Sequence, residues 1–141
     1  VARIFNTYGP RMLPNDGRVV SNFIIQALSG SDITIYGDGS QTRSFCYIDD
    51  LIEGLLMFMD SKYSGPFNLG NTEEVSIQKL SSIIKIKLNH KKDNIYLPEL
   101  KDEPVKRLPN LKKAIELLNW RPKITLDNGI NSTINYFKEN Y

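Results

Sequence analysis

The chain has 141 residues, of which 40% are hydrophobic and 24% are charged, and its formal net charge is +2. This length is sufficient for one domain with a hydrophobic core, and the composition is that of an ordinary soluble globular protein. The small net charge gives no support for nucleic-acid binding, and the longest apolar run, residues 55–59, is far shorter than a membrane span. The single cysteine, Cys46, excludes a disulfide framework and favours a reducing compartment.

The first third of the chain predicts short strands around one helix. Residues 1–6 are expected to form a buried strand, followed by a loop over residues 10–17 that is rich in turn residues. Apolar residues recur at helical spacing in Val19–Leu28. Two further short strands are expected at Ile33–Tyr36 and at residues 45–48.

The middle of the chain predicts two helices with identifiable caps. Asp49 or Asp50 can cap a helix that runs to about Asp60, and Asp50 followed three residues later by Glu53 resembles a capping box. Ser76 is the predicted N-cap of the next helix.

The remaining predicted elements are two strands, at residues 66–69 and 95–97, and two helices, at residues 111–118 and 126–137. Asn110 and Thr125 are the predicted N-caps of these two helices. Because strands and helices are mixed along the chain with short connections, the predicted class is α/β or α+β.

Few side chains in the sequence are typical of catalysis. His90 is the only histidine, and its position in the polar run 89–92 favours a solvated loop residue. No set of histidine, cysteine and acidic residues has the spacing of a metal site, and Gly37-Asp38-Gly39 predicts a turn rather than a dinucleotide fingerprint. The sequence therefore offers no catalytic residue of its own.

Four arginines lie in or beside predicted loops: Arg11, Arg18, Arg43 and Arg107. The planar guanidinium group suits bidentate contact with phosphate or carboxylate, so a diphosphate ligand would explain their convergence. The alternative is that each of them is simply solvated. Arg43 is the strongest candidate, since it lies between the turn at residues 37–40 and an apolar strand.

Three other side chains lie at the ends of predicted strands. Asn6 would either satisfy neighbouring loop backbone or point into a ligand cleft, because a buried amide needs hydrogen-bond partners. Tyr8 and Tyr36 would either offer a flat face to a base or sugar or pack at a rim. Polar groups after a strand are typical of α/β proteins, which bind ligands at the carboxyl ends of their strands.

Six motifs, spread along the chain in the expected order, resemble the later part of the extended short-chain dehydrogenase/reductases, the NAD-dependent epimerase/dehydratase group: RIFNTYGP (3–10), DGRVVSNF (16–23), ITIYGDGSQTRSF (33–45), FNLGN (67–71), DEPVKR (102–107) and LNWRP (118–122). The second motif resembles the UDP-glucuronate decarboxylase (UDP-xylose synthase) branch. The resemblance implies an α/β fold in which residues 1–141 form a single C-terminal, nucleotide-sugar-binding portion, with strands that complete a Rossmann sheet. It also implies that the N-terminal NAD-binding domain, with the catalytic residues, is absent from this chain.

The resemblance implies substrate-binding roles for five residues. Asn6 would contact the sugar or the diphosphate, and Arg18 would lie where cofactor and substrate meet. Tyr36 would border the uracil of a UDP-sugar. Arg43 and Arg107 would grip its diphosphate.

The cofactor implied by the resemblance is NAD, bound mainly by the absent domain, with Thr7 near its nicotinamide end and Arg18 beside it. The implied reaction oxidises C4 of UDP-glucuronate, releases carbon dioxide and returns the hydride to give UDP-xylose. The alternatives are a nucleotide-sugar 4,6-dehydratase or 4-epimerase, and a non-catalytic nucleotide-sugar-binding module. On the leading hypothesis this portion alone is inactive, and the whole enzyme is a cytoplasmic homodimer.

Overall fold

Helices and strands are interspersed within residues 1–99 and 106–141, which the computed structural model describes. These residues contain five helices: α1 (Val19–Leu28), α2 (Ile48–Met59), α3 (Ile77–Lys87), α4 (Lys112–Leu118) and α5 (Leu126–Asn140). They also contain nine short strands: β1 (Ala2–Ile4), β2 (Thr7–Tyr8), β3 (Ile33–Tyr36), β4 (Thr42–Ser44), β5 (Cys46–Tyr47), β6 (Phe67–Leu69), β7 (Glu74–Ser76), β8 (Asn94–Leu97) and β9 (Lys106–Arg107). The predicted α/β class is confirmed, while residues 102–105 of the DEPVKR motif lie outside the described residues. No helix in the described ranges has the length and apolar character needed to cross a membrane.

The strands pair in small sheets that are mostly parallel. β1 lies parallel to β6, β2 to β5, and β3 to β8. A mixed sheet has the order β7-β4-β9, in which β4 is antiparallel to β7 and parallel to β9. In the pair of β1 and β6, Ala2 lies opposite Phe67 and Ile4 lies opposite Leu69.

The expectation that the first strand is buried is wrong for this chain. Arg3 is exposed and the side chain of Ile4 is 56% exposed. Among the described residues β1 pairs only with β6, so one of its edges and much of its surface remain in solvent.

The larger hydrophobic core lies between three helices and β3. α1 and α3 pack on β3 and on each other, and α5 packs on both helices. The fully buried side chains in this core include Phe23, Ile24, Ile35, Leu80 and Phe137. Each such side chain stabilises the fold by about 1.5–3 kcal/mol relative to exposure. This core therefore holds α1 and β3, which carry much of the cleft described below.

The smaller core lies around Trp120, where α2 and α4 pack on β6. The indole is 1% exposed, and its Nε1–H donates to the backbone carbonyl of Asp50 over 2.9 Å. A Cβ on Gly54 would lie 2.7 Å from the Trp120 ring, so α2 approaches the indole this closely only because residue 54 has no side chain.

The capping box predicted at the start of α2 is wrong. The N-cap residue is Tyr47, and no side chain caps the helix. The Asp50 carboxylate is buried, and its Oδ2 accepts hydrogen bonds from the backbone N–H groups of Lys123 (3.0 Å) and Ile124 (2.9 Å). Glu53 binds the Lys123 ammonium group. Tertiary packing uses both acidic side chains, since the segment before α5 presents backbone donors that need an acceptor.

Two other predicted caps are confirmed. Ser76 Oγ accepts from the Lys79 N–H (3.1 Å), and Thr125 Oγ1 accepts from the Asn128 N–H (3.3 Å). The N-cap predicted at Asn110 is wrong by one residue, because α4 begins at Lys112 and its N-cap is Leu111. Asn110 Oδ1 nevertheless accepts from the Lys112 N–H (2.9 Å). The bounds predicted for α1 and β3 also agree with the structure.

Several short strands were not predicted, and one was misplaced. The strand expected at residues 45–48 is limited to β5, because Ile48 already begins α2. β2, β4, β7 and β9 were all missed. Segments of two or three residues have no measurable alternation, and their conformation depends on strand partners that are distant in sequence.

Candidate functional site

A cleft of about 770 Å³ opens where the first two strands, the start of α1, β3, β4 and β9 meet. This volume is within the range of small-molecule sites in proteins. The residues predicted to contact substrate or cofactor all line it: Asn6, Thr7, Arg18, Tyr36, Arg43 and Arg107. Arg11, the remaining arginine considered from the sequence, is exposed and is not among the lining residues.

The wall of the cleft is cationic. Arg18, Arg43 and Arg107 line it, and within the described ranges no aspartate or glutamate does. In the same ranges no group of three or more His, Cys, Asp or Glu side chains is arranged to hold a metal ion. A concave wall that carries several guanidinium groups attracts an anionic ligand.

Arg43 and Arg107 face each other across two neighbouring strands. They are register partners in the parallel pair of β4 and β9, so both side chains leave the same face of the sheet. Arg43 is 6% exposed, and its Nη1 donates to the carbonyl of Thr42 over 2.8 Å, while Arg107 is exposed. A guanidinium group binds phosphate oxygens with paired N–H donors, so two of them on one wall suit a diphosphate ligand.

Arg18 is held at the amino terminus of α1 by a compact loop. Its backbone N–H donates to Asp16 Oδ1 (3.0 Å), and Ser21 Oγ donates to the same oxygen (2.7 Å). The Arg18 Nε lies 3.4 Å from Asp16 Oδ2, and the side chain remains 64% exposed. An exposed ion pair of this kind contributes at most about 1 kcal/mol. The guanidinium is thus positioned over the cleft yet free to turn toward a ligand.

β3 forms the wall of the cleft on the side of Tyr36. The amide of Gln26 makes two hydrogen bonds to Thr34: its Oε1 accepts from the backbone N–H (3.1 Å), and its Nε2 donates to Oγ1 (2.8 Å). Gln41 Nε2 donates to the carbonyl of Tyr36 (2.7 Å). The Tyr36 side chain is 41% exposed, so one face of the ring remains available at the rim.

Asn6 and Thr7 lie where the chain passes from β1 to β2. The Asn6 carbonyl accepts from the Cys46 N–H (2.8 Å), and Thr7 Oγ1 donates to the Phe5 carbonyl (2.8 Å). Both residues are half-buried and line the cleft. Their backbone is therefore fixed against β5, and the Thr7 oxygen keeps lone pairs that can accept a hydrogen bond from a ligand.

Tyr8 and His90 lie away from the cleft. Tyr8 is 1% exposed and packs edge-on against Tyr47, so it has no free face for a base or sugar. Burial is the main cause that raises the pKa of the Tyr8 phenol far above its ordinary value.

His90 was predicted to be a solvated loop residue, and this is wrong for one atom of its ring. The Nε2 atom is buried and has no hydrogen-bond partner among the described residues. The His90 N–H donates to the carbonyl of Lys85 (2.9 Å), which holds the residue against the end of α3.

The lining residues that were not selected from the sequence include Asn22, Gln26, Gln41 and Phe45. A signal for two of them was present, because Arg18, Asn22 and Gln26 recur every four residues and therefore share one face of α1. Gln41 and Phe45 carry no such signal, since their places depend on how the turn before β4 folds back on β3.

Comparison with known proteins shows which family the chain is similar to. The sequence profile of the NAD dependent epimerase/dehydratase family matches residues 1–70. UDP-glucose 4-epimerase from Thermotoga maritima, solved with UDP-glucose, is 32% identical, with a TM-score of 0.94 over 98% of this chain and 45% of that one. UDP-glucuronic acid 4-epimerase from Bacillus cereus, solved with UDP-glucuronic acid and NAD, is 31% identical, with a TM-score of 0.92 over 99% of this chain and 45% of that one. The chain is thus similar to members of the NAD dependent epimerase/dehydratase family over nearly its whole length.

The chain is also similar to the UDP-glucuronic acid decarboxylases, which confirms the resemblance predicted from the motifs. UDP-glucuronic acid decarboxylase 1 of Danio rerio is 52% identical over 137 residues, or 97% of this chain. UDP-glucuronic acid decarboxylase 2 of Arabidopsis thaliana is 46% identical over 139 residues, or 99% of this chain. The chain spans 33% and 31% of the lengths of these two relatives.

Proposed function

We propose that this chain is the substrate-binding part of an NAD-dependent UDP-glucuronate decarboxylase, which converts UDP-glucuronate to UDP-xylose and carbon dioxide. The observation that carries the proposal is the pairing of Arg43 with Arg107 on the wall of a cationic cleft. The similarity to UDP-glucuronic acid decarboxylases over nearly the whole chain supports it. Under this proposal, residues 1–141 form one substrate-binding portion, and the catalytic residues lie elsewhere in the enzyme.

The cleft provides a place for each part of a UDP-sugar. Arg43 and Arg107 hold the diphosphate with charge-assisted hydrogen bonds, which are about twice as strong as neutral ones. Tyr36 covers the uracil at the rim of β3. Asn6, at the end of β1, contacts the sugar or the phosphate next to it, and Arg18 approaches the same region from the start of α1. Holding the nucleotide at several points fixes the sugar ring in one orientation, which lowers the entropic part of the barrier.

The residues around Thr7 and Arg18 fit the edge of a bound NAD. Thr7 offers an oxygen acceptor suited to a carboxamide. Arg18 offers guanidinium donors, and its side chain remains 64% exposed beside Asp16. When bound, NAD supplies acceptance and return of hydride at C4 of the sugar. The chain's own residues orient the sugar so that its C5 carboxylate, once β to a C4 ketone, can leave as carbon dioxide.

Two further parts of the proposal rest on the family resemblance. The complete enzyme is a homodimer, and it acts in the cytoplasm. Size-exclusion chromatography with light scattering tests the first, and a dimer mass is expected.

Activity decides between the proposed reaction and its alternatives. The complete protein is incubated with UDP-glucuronate and NAD, and the products are identified by mass spectrometry and carbon dioxide release. UDP-xylose with one equivalent of carbon dioxide is expected. UDP-galacturonate would instead establish a 4-epimerase, consistent with the epimerases of similar structure. Binding of UDP without turnover of any nucleotide sugar would establish a binding module.

A matched pair of variants tests the arginine site itself. Arg43→Gln should weaken UDP binding by about 10- to 100-fold, the effect of losing charge-assisted hydrogen bonds. Arg121→Gln removes an exposed arginine that does not line the cleft, and it should leave the affinity unchanged. Because Arg43 is buried, Arg107→Gln provides a second variant with little risk to folding. Equal affinities in all three variants would refute the proposed diphosphate site.

A further inference from the structure

The loop before α1 holds one aspartate in a fixed place beside the cleft. Asp16 Oδ1 accepts hydrogen bonds from the Arg18 N–H (3.0 Å) and from the Ser21 hydroxyl (2.7 Å). Ser21 is fully buried in α1, so the carboxylate is anchored to the helix as well as to the loop. Gly17 has a φ of 79°, a left-handed conformation that glycine adopts without strain, and this lets the chain turn between residues 16 and 18.

The second oxygen of the same carboxylate faces the Arg18 side chain. Asp16 Oδ2 lies 3.4 Å from Arg18 Nε, and the Asp16 side chain is 19% exposed while that of Arg18 is 64% exposed. Arg18 lines the cleft, whereas Asp16 is not among the lining residues. One carboxylate therefore holds both the backbone and the side chain of Arg18 from behind the wall that a ligand meets.

We propose that Asp16 is a positioning residue for Arg18. A long side chain that is mostly in water occupies many rotamers, and a ligand that binds it must restrict them. The ion pair with Asp16 restricts the guanidinium group before the ligand arrives, which lowers the entropic cost of binding. The inference rests on the proposed function, because it requires an anionic nucleotide sugar that Arg18 contacts.

Electrostatic repulsion alone predicts the opposite effect of the Asp16 charge. A carboxylate beside a cationic wall repels an anionic ligand, so neutralising it would tighten binding. For two charges about 4 Å apart in water, the gain would be about fivefold in affinity. Positioning instead predicts weaker binding when the charge is removed, so the direction of the change separates the two roles.

Asp16→Asn tests the direction of the effect. The variant removes the charge but keeps a side-chain oxygen that can accept from the Arg18 N–H and from the Ser21 hydroxyl. Calorimetry on the complete protein measures the affinity for UDP-xylose, which carries the diphosphate and a sugar. The variant should bind about three- to tenfold more weakly, the cost of ordering one long side chain. Asp60→Asn removes the same charge from an exposed residue outside the cleft and should leave the affinity unchanged.

A double-mutant cycle with Arg18→Gln shows whether Asp16 acts through Arg18. Arg18→Gln alone should weaken binding by about 10-fold. In that background Asp16→Asn should cause no further loss, because no guanidinium group is left to position. General damage to the loop would instead weaken binding in both backgrounds. If Asp16→Asn does not fold, Ser21→Ala removes one anchor of the carboxylate, and it should cause a loss of about threefold that is likewise absent from the Arg18→Gln background.

The outcomes distinguish this inference from the proposed function. Failure of the unsubstituted protein to bind UDP-xylose would overturn both. Full affinity in Arg18→Gln, or unchanged or tighter binding in Asp16→Asn, would overturn the inference and leave the site of Arg43 and Arg107 intact. Equal losses from Asp16→Asn with and without Arg18, or from Ser21→Ala where it is the variant used, would also overturn the inference.

Discussion

Replacing Asp50 by alanine should remove a tertiary connection that holds α5 to the rest of the chain. The Asp50 carboxylate accepts from two consecutive backbone N–H groups, those of Lys123 and Ile124, at 3.0 and 2.9 Å. The carboxyl group is buried, so water cannot easily replace it. The hydrogen bond from Trp120 to the Asp50 carbonyl is a backbone contact and survives the substitution.

The expected loss follows from the two hydrogen bonds. A hydrogen bond to a charged group contributes about 1.5–3 kcal/mol, and neighbouring bonds to one carboxylate are not fully additive. The free energy of unfolding should therefore fall by about 2–4 kcal/mol, with a fall in Tm on the order of 10 °C for a chain of this size. Asp50→Asn, which keeps a neutral acceptor, should lose about half as much.

Thermal and urea unfolding followed by circular dichroism measure these losses, with Asp49→Ala as the matched control. Asp49 is exposed in the first turn of α2, where removal of its charge costs about 0.3–1 kcal/mol through the helix dipole. If Asp50→Ala is no more destabilising than Asp49→Ala, the carboxylate does not hold the segment before α5, and the reasoning is refuted.

Two further predictions concern the buried packing around β2 and β5. Gly129→Ala should destabilise the protein by about 1–3 kcal/mol, because a Cβ there would meet the Tyr8 hydroxyl and lie 2.8 Å from the Tyr47 ring. The control is Ser132→Ala, which changes an exposed residue on the same helix, and a Gly129→Ala variant that is more stable in urea unfolding would contradict the prediction. The Cys46 thiol should resist a thiol reagent at pH 8 until the protein unfolds, because the residue is fully buried. Its burial, together with the nearby Asp50, also raises the pKa of the thiol to about 12, and rapid labelling of the native protein would contradict the prediction.

The sequence alone was sufficient for features that depend on neighbouring residues. The helical spacing in Val19–Leu28 predicted α1 with correct bounds, and the side-chain caps at Ser76 and Thr125 were predicted because such a cap bonds a backbone amide only three residues away. The motifs around Arg43 and Arg107 predicted the family and the candidate site residues. The same local reasoning failed at Asp50, whose partners lie more than 70 positions along the chain.

Tertiary structure alone decided which groups face each other. Arg43 and Arg107 are 64 residues apart, and their pairing depends on the register between β4 and β9, which no local pattern encodes. The contact of Gln26 with Thr34 likewise requires α1 to fold back on β3. Tyr8 was an equally reasonable ligand contact by sequence, yet packing against Tyr47 buries it. Local propensity thus determined the elements and the residue types, while long-range pairing and burial determined which of those residues line one cleft.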